Sequence, residues 1–272
     1  MKIAAIQMVS STDVAANCAA ARKLLGQAAA QGAELAVLPE YFCILGQKDT
    51  DKLQVAETQG AGPLQEFLAG CAREFKLWIV GGTIPLAASG AAKPPSRVHN
   101  TTLVYSPAGE CVARYDKMHL FRFDNGKEQF DESRVLDAGK QAIAFDLPSK
   151  DGSTWRVGLS ICYDLRFPEL YRALKADLLL VPSAFTFTTG QAHWEILLRA
   201  RAIENLAYVL AAAQGGNHEN GRQTWGHSMV ADPWGKLLAE HDEGEAVVMA
   251  EVLKADLAAA RLRLPALDHG VL

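Results

Sequence analysis

The sequence predicts an α/β fold with helices layered outside one or two β-sheets. Three observations carry that expectation. Short apolar runs bounded by turn residues alternate with helical patterns from end to end; several strand patterns follow one another directly; and the runs at 155–161 and 178–181 are continuously apolar, as strands buried on both faces must be.

The elements follow in order. Residues 2–8 read as a strand and 13–31 as an Ala-rich helix opened by an Asp cap. Residues 34–39 form an apolar run too short for a helix, hence a buried strand. A helix is expected over 63–75, strands over 78–86 and 98–105, and another strand over 110–117, entered through the turn at Pro107-Ala108-Gly109. Residues 121–139, rich in Asp, Asn, Gly and Lys, read as one long irregular stretch. The strands 155–161 and 178–181 follow, then a helix over 192–206 with Ile196, Leu197, Ala200 and Ile203 at helical spacing. Strands at 208–213, 227–231 and 246–252 complete the pattern. With no linker, repeat or low-complexity segment, residues 1–272 read as one domain.

Composition narrows the function. At 272 residues the chain can bury a core without disulfide staples. A net charge of −4 disfavours a phosphate-tracking surface, so no nucleic-acid partner is expected. Five cysteines without a C-x-x-C pair suggest reduced thiols in a reducing compartment, one of which could be reactive. No run approaches the ~18 apolar residues of a membrane span, and the first residues lack a secretory apolar region. The expectation is a cytoplasmic protein with no membrane partner. No spacing among the seven histidines matches a metal motif, so neither metal nor cofactor is expected.

Three reactive side chains close apolar strands, the edge where α/β folds bind ligands. Glu40 ends the run at 34–39, Lys117 ends the run at 110–117, and Cys162 ends the run at 155–161. Taken singly, each has an ordinary explanation: a surface glutamate, a lysine reaching water, a small buried thiol. Taken together they form a machine. The thiol of Cys162, lying between a strand end and a helix start where backbone N–H groups favour thiolate, would attack an amide carbonyl. Glu40 would move the proton, while Lys117 and the Tyr163 N–H would hold the oxyanion. A lysine on the face of its strand shared with Cys111, Ala113 and Tyr115 must be paired or neutral.

The chain resembles the nitrilase superfamily of carbon–nitrogen hydrolases. The matching blocks are Leu38-Pro39-Glu40, Tyr115-Asp116-Lys117-Met118-His119-Leu120, Ile161-Cys162-Tyr163-Asp164-Leu165-Arg166-Phe167-Pro168-Glu169, Pro182-Ser183-Ala184-Phe185, Ala192-His193-Trp194-Glu195 and Gly226-His227-Ser228-Met229-Val230-Ala231-Asp232-Pro233-Trp234-Gly235. They run in family order over nearly the whole chain. The resemblance implies a four-layer α-β-β-α sandwich, a Glu40–Lys117–Cys162 triad and a homodimer or higher homo-oligomer joined through outer helices. The nearest branch, with deaminated-glutathione amidases and omega-amidases, implies a second glutamate in the loop after the lysine, carried to Glu132 with Glu128 as the rival.

For the substrate, Arg166 is a candidate carboxylate clamp, its ordinary alternative being a salt bridge to Glu169 or Asp164, while Phe185 and Thr186 are candidates at the same sheet edge. The resemblance implies deaminated glutathione as the substrate, cleaved to 2-oxoglutarate and cysteinylglycine. The alternatives are an omega-amidase acting on 2-oxoglutaramate or 2-oxosuccinamate, another aliphatic amidase or an N-carbamoyl amide hydrolase. From other classes come an acyltransferase and a catalytically silent scaffold.

Overall fold

The computed structural model describes residues 1–88, 90–126 and 128–271. Eight strands form one sheet, in the order Ala246–Glu251, Lys2–Gln7, Leu35–Val37, Trp78–Val80, His99–Tyr105, Ile84–Ala87 and Glu57–Thr58, with Cys111–Asp116 also paired to His99–Tyr105. A second sheet of six runs Ala144–Pro148, Thr154–Leu159, Leu178–Leu180, Tyr208–Ala211, Ser228–Ala231 and Leu237–His241.

Alternation along the first strand explains the layering. Ile3 and Ala5 point into a core shared with Val157, Leu159 and Leu178 of the other sheet. Ala4 and Ile6 point the other way, against Leu24, Leu25 and Ala28 of the helix Val14–Ala30 and Leu68 and Ala72 of the helix Pro63–Phe75. The second sheet carries the helices Pro168–Leu174 and Phe187–Asn205 on its far side, through Leu170, Tyr171, Trp194 and Leu198. This is the four-layer α-β-β-α sandwich. Both faces of both sheets are covered, so their central strands read as unbroken apolar runs. Each fully buried Leu, Ile or Val contributes about 1.5–3 kcal/mol of transfer free energy.

Local chemistry sets the helix starts. Asp13 Oδ1 accepts from the N–H groups of Ala15 and Ala16 at 2.8 and 3.1 Å, as the sequence anticipates. The helix Pro63–Phe75 has glycine before it instead, and the buried Glu57 reaches across to accept from Leu64 and Gln65 N–H.

Several expectations need correction. The run 78–86 is two strands, Trp78–Val80 and Ile84–Ala87, broken at Gly81-Gly82 where Gly82 adopts φ +53°. The stretch 121–139 is more ordered than its polarity suggests: Arg122–Asp124 pairs with Gln129–Asp131 and a 3-10 turn spans Glu132–Arg134. Residue 127 in that stretch lies outside the described residues. The helix expected at 192–206 begins earlier, at Phe187, and a further helix spans Lys254–Arg263.

Candidate active site

Strands Leu35–Val37 and Cys111–Asp116 point the same way in the first sheet, because each is related to Trp78–Val80 by parallel pairing or by two antiparallel pairings through His99–Tyr105. Their carboxyl ends therefore deliver Glu40 and Lys117 to one edge. Thr154–Leu159 and Leu178–Leu180, parallel in the second sheet, deliver Cys162 and Ala184.

Glu40 joins the two sheets. Its Oε1 accepts from Lys117 Nζ at 2.9 Å and Asn100 Nδ2 at 2.8 Å, and its Oε2 accepts from the Ala184 N–H at 2.9 Å. The chain turns sharply behind it: Tyr41 sits at φ +57°, its N–H donating to Thr83 Oγ1 at 2.8 Å.

Lys117 is 1% exposed and lies between two carboxylates, Glu40 and Glu132, each at 2.9 Å. Burial alone would lower its pKa, but Glu132 and Glu40 outweigh that and hold the ammonium well above the usual lysine range. Glu132 is locked in turn. Its Oε1 accepts from the Tyr41 hydroxyl at 2.8 Å and its Oε2 from the Phe121 N–H at 2.7 Å, while its own N–H donates to Phe121 carbonyl at 3.0 Å. Burial would raise its carboxyl, but Lys117 and Lys52 prevail and keep it below the usual range. Glu132, not Glu128, meets the lysine; Glu128 Oε2 accepts from Thr188 Oγ1 at 3.0 Å.

Cys162 opens a five-residue 3-10 helix, Cys162–Arg166, at φ +49°, a left-handed conformation unusual for a side chain this size. Asp164 holds the turn. It is fully buried and accepts from the Ile161 N–H at 2.9 Å, the Tyr115 hydroxyl at 2.6 Å and the His119 N–H at 3.0 Å. The Cys162 N–H donates to the Pro182 carbonyl at 3.0 Å. The thiolate expected from this strand–helix junction is corrected by its surroundings. Burial and the neighbouring Glu40 carboxylate push the thiol well above its ordinary value, against the smaller pull of Lys117. The surroundings thus favour the protonated thiol over the thiolate.

These groups line a cavity of about 380 Å³, together with Tyr163, Phe185 and Thr186 of the sequence-derived set. Arg166, the candidate carboxylate clamp, is not among the residues that line the cavity. Its guanidinium stands over the rings of Tyr163 and Phe185, 5.8 and 5.4 Å from their centres, with Nη1 3.3 Å from His193 Nδ1. Among the described residues no carboxylate pairs with it, neither Glu169 nor Asp164. Tyr41, Lys52, Asp49 and Arg222 line the cavity and were not singled out by sequence. Tyr41 follows Glu40 directly and was open to notice; the others sit in polar segments without pattern.

Among the described residues, one other cluster has metal-ligating types: His227, Glu240 and Asp242, whose ligand atoms lie within 4.8 Å of one another. None of the three lines the cavity, and His227 Nδ1 already meets Glu240 Oε1 at 2.8 Å.

The α-β-β-α scaffold and its cavity of buried carboxylates, ammonium and thiol define a hydrolase of the carbon–nitrogen type. The chain belongs to the carbon-nitrogen hydrolase family, whose model matches residues 2–262. It is 41% identical to a deaminated glutathione amidase of Synechocystis sp., over 98% of this chain and 97% of that protein. It is 36% identical to the omega-amidase NIT2 of Homo sapiens, over 97% and 92%. The crystal structure of the Caenorhabditis elegans NitFhit protein superposes with a TM-score of 0.87 at 37% identity, over 99% of this chain; the chain spans 65% of that longer fusion protein.

Proposed function

We propose that this chain hydrolyses a small carboxylate-bearing amide through a thioester on Cys162, with deaminated glutathione as the leading substrate. The observation that carries the reading is the Lys117 ammonium held at 2.9 Å between Glu40 and Glu132, in the cavity that the buried thiol of Cys162 also lines.

The chemistry follows from that contact. Glu40 takes the thiol proton as sulfur attacks the amide carbon. The oxyanion is stabilised by Lys117 and the Tyr163 N–H. As the tetrahedral adduct collapses, Glu40 returns the proton to the departing nitrogen, which leaves as amine or ammonia. Glu40 then deprotonates a water that attacks the thioester, releasing the carboxylic acid and restoring the thiol. Glu132 keeps Lys117 charged and in place, and Tyr41 steadies Glu132. Phe185 and Thr186 contribute to the substrate wall.

The substrate assignment is supported by relatives named for deaminated glutathione, with the omega-amidase substrate 2-oxoglutaramate as the second reading. Offering both amides to the purified protein distinguishes them. The first reading expects cysteinylglycine from deaminated glutathione at a higher kcat/KM than ammonia from 2-oxoglutaramate; the reverse order favours the omega-amidase reading.

The same proposal includes one domain over 1–272, supported by an apolar core shared between both sheets. It includes a homodimer, supported by exposed Ile196, Ile203, Trp234 and Leu262. A reducing cytoplasmic setting is supported by five free cysteines, and no helix among the described residues is long and apolar enough to cross a membrane.

A further inference from the structure

Lys52 stands apart from the other cations of the cavity wall. Lys117 is engaged by Glu40 and Glu132, and Arg222 by Asp49, with Nη2 2.7 Å from Oδ1. Lys52, from the short helix Asp51–Gln54, has no carboxylate within ion-pair distance among the described residues. Its ammonium lies instead 4.5 Å from the centre of the Tyr41 ring, whose hydroxyl donates to Glu132. An aromatic face returns about 0.5–2 kcal/mol to a cation. Withdrawing an ammonium from water costs several kcal/mol more unless an anion meets it. A half-buried cation facing an open cavity is thus a site with one partner missing.

We propose that Lys52 binds the carboxylate of the substrate and so makes the site select monoamides of dicarboxylic acids over neutral amides. This rests on the reading of the cavity as an amidase site. Two facts favour Lys52 over Arg166. It lines the cavity and Arg166 does not, and its neighbours Glu132 and Tyr41 belong to the reactive centre. Burial pulls the Lys52 pKa down despite the nearby Glu132 and Asp49. A bound carboxylate reverses that pull, so substrate and full protonation of Lys52 reinforce each other.

A competing role is purely electrostatic. Lys52 helps keep Glu132 ionised, and if that were its whole contribution, every amide would suffer equally on its removal. Succinamate and butanamide separate the two roles, being of equal chain length and differing in the terminal carboxylate. For Lys52→Met, the KM for succinamate is expected to rise at least about tenfold more than the KM for butanamide, with the two kcat values falling in parallel. Lys52→Arg is expected to recover most of that difference. Calorimetric titration with succinate requires no turnover, and its Kd is expected to weaken by about tenfold or more in Lys52→Met, equivalent to ~1.4 kcal/mol.

Equal losses on both amides, or unchanged succinate affinity in the variant, overturn the assignment, as does failure of the wild type to bind succinate. A wild type that binds succinate through Lys52 but releases ammonia from neither amide instead counts against the amidase reading alone.

Discussion

Gly82 lies so close to Pro39 that a Cβ on it would sit 2.1 Å from the Pro39 carbonyl oxygen. The contact fixes the peptide that precedes Glu40, and Gly82 reaches it at φ +53°, where a side chain is already unfavourable. Gly82→Ala is therefore expected to destabilise the fold by more than ~1 kcal/mol and to reduce amide turnover beyond what the loss of folded protein explains. Denaturant unfolding combined with initial rates at matched folded concentration checks both parts. An alanine variant with wild-type rate would show that Glu40 does not depend on this contact.

The second expectation concerns Lys117. Lys117→Met leaves Glu40 and Glu132 buried without their cation, a loss on the order of 3–5 kcal/mol for a broken buried ion pair. Lys117→Arg retains charge, but its planar fork is bulkier than the point-like ammonium held at 2.9 Å from each carboxylate. Turnover of the arginine variant is expected to fall by at least about a hundredfold, an effect typical of a lost oxyanion donor, at near-normal stability. Equal rates for wild type and Lys117→Arg would reduce the lysine to a structural charge.

How Cys162 titrates offers a pH test. Burial and Glu40 raise its pKa while Lys117 lowers it. A raised thiol stays protonated until pH climbs past its elevated value, so alkylation by iodoacetamide rises only in the alkaline range. Glu40→Gln removes the second upward influence and leaves Lys117 acting. The midpoint of the alkylation–pH curve is expected to move to lower pH, even as amide hydrolysis collapses for want of the proton carrier. An unmoved or higher midpoint would mean Glu40 does not govern the thiol.

What the sequence made legible divides along the same physical line. Strand ends, the Asp13 cap and the three reactive residues follow from local pattern and from ordered blocks, and the fold puts Glu40, Lys117 and Cys162 around one cavity. The upward shift of the Cys162 thiol was not legible, because burial and then a carboxylate from the other sheet cause it, and only the local N–H groups are visible in a sequence. Nor was the break at Gly81-Gly82, since its cause is the approach of Pro39 across the sheet edge. Arg166 stood near the nucleophile in sequence, but its side chain packs beside Phe185 and His193, while Lys52 arrives from a segment with no periodic signal.

Association is the fourth expectation. Ile196 and Ile203 lie on one face of the helix Phe187–Asn205, and the turn bearing the exposed Trp234 packs beside Ile203. Covering this patch in a dimer would bury more than the ~1,000 Å² of a specific interface. Light scattering of the wild type at micromolar concentration is expected to read a dimer or a multiple of it, and Ile203→Asp with Trp234→Asp is expected to read a monomer. A fully active wild-type monomer would refute the interface.

The claim at the centre is a covalent bond between substrate carbonyl and Cys162 sulfur. Intact-protein mass spectrometry of the wild type, acid-quenched during turnover of an amide, measures it directly. The expected result is a mass gain equal to the substrate minus its departing amine, mapped by peptide digestion to Cys162 and absent from Cys162→Ala, whose turnover falls by several orders of magnitude. An adduct on another residue, or a Cys162→Ala protein that still hydrolyses the amide, would contradict the mechanism.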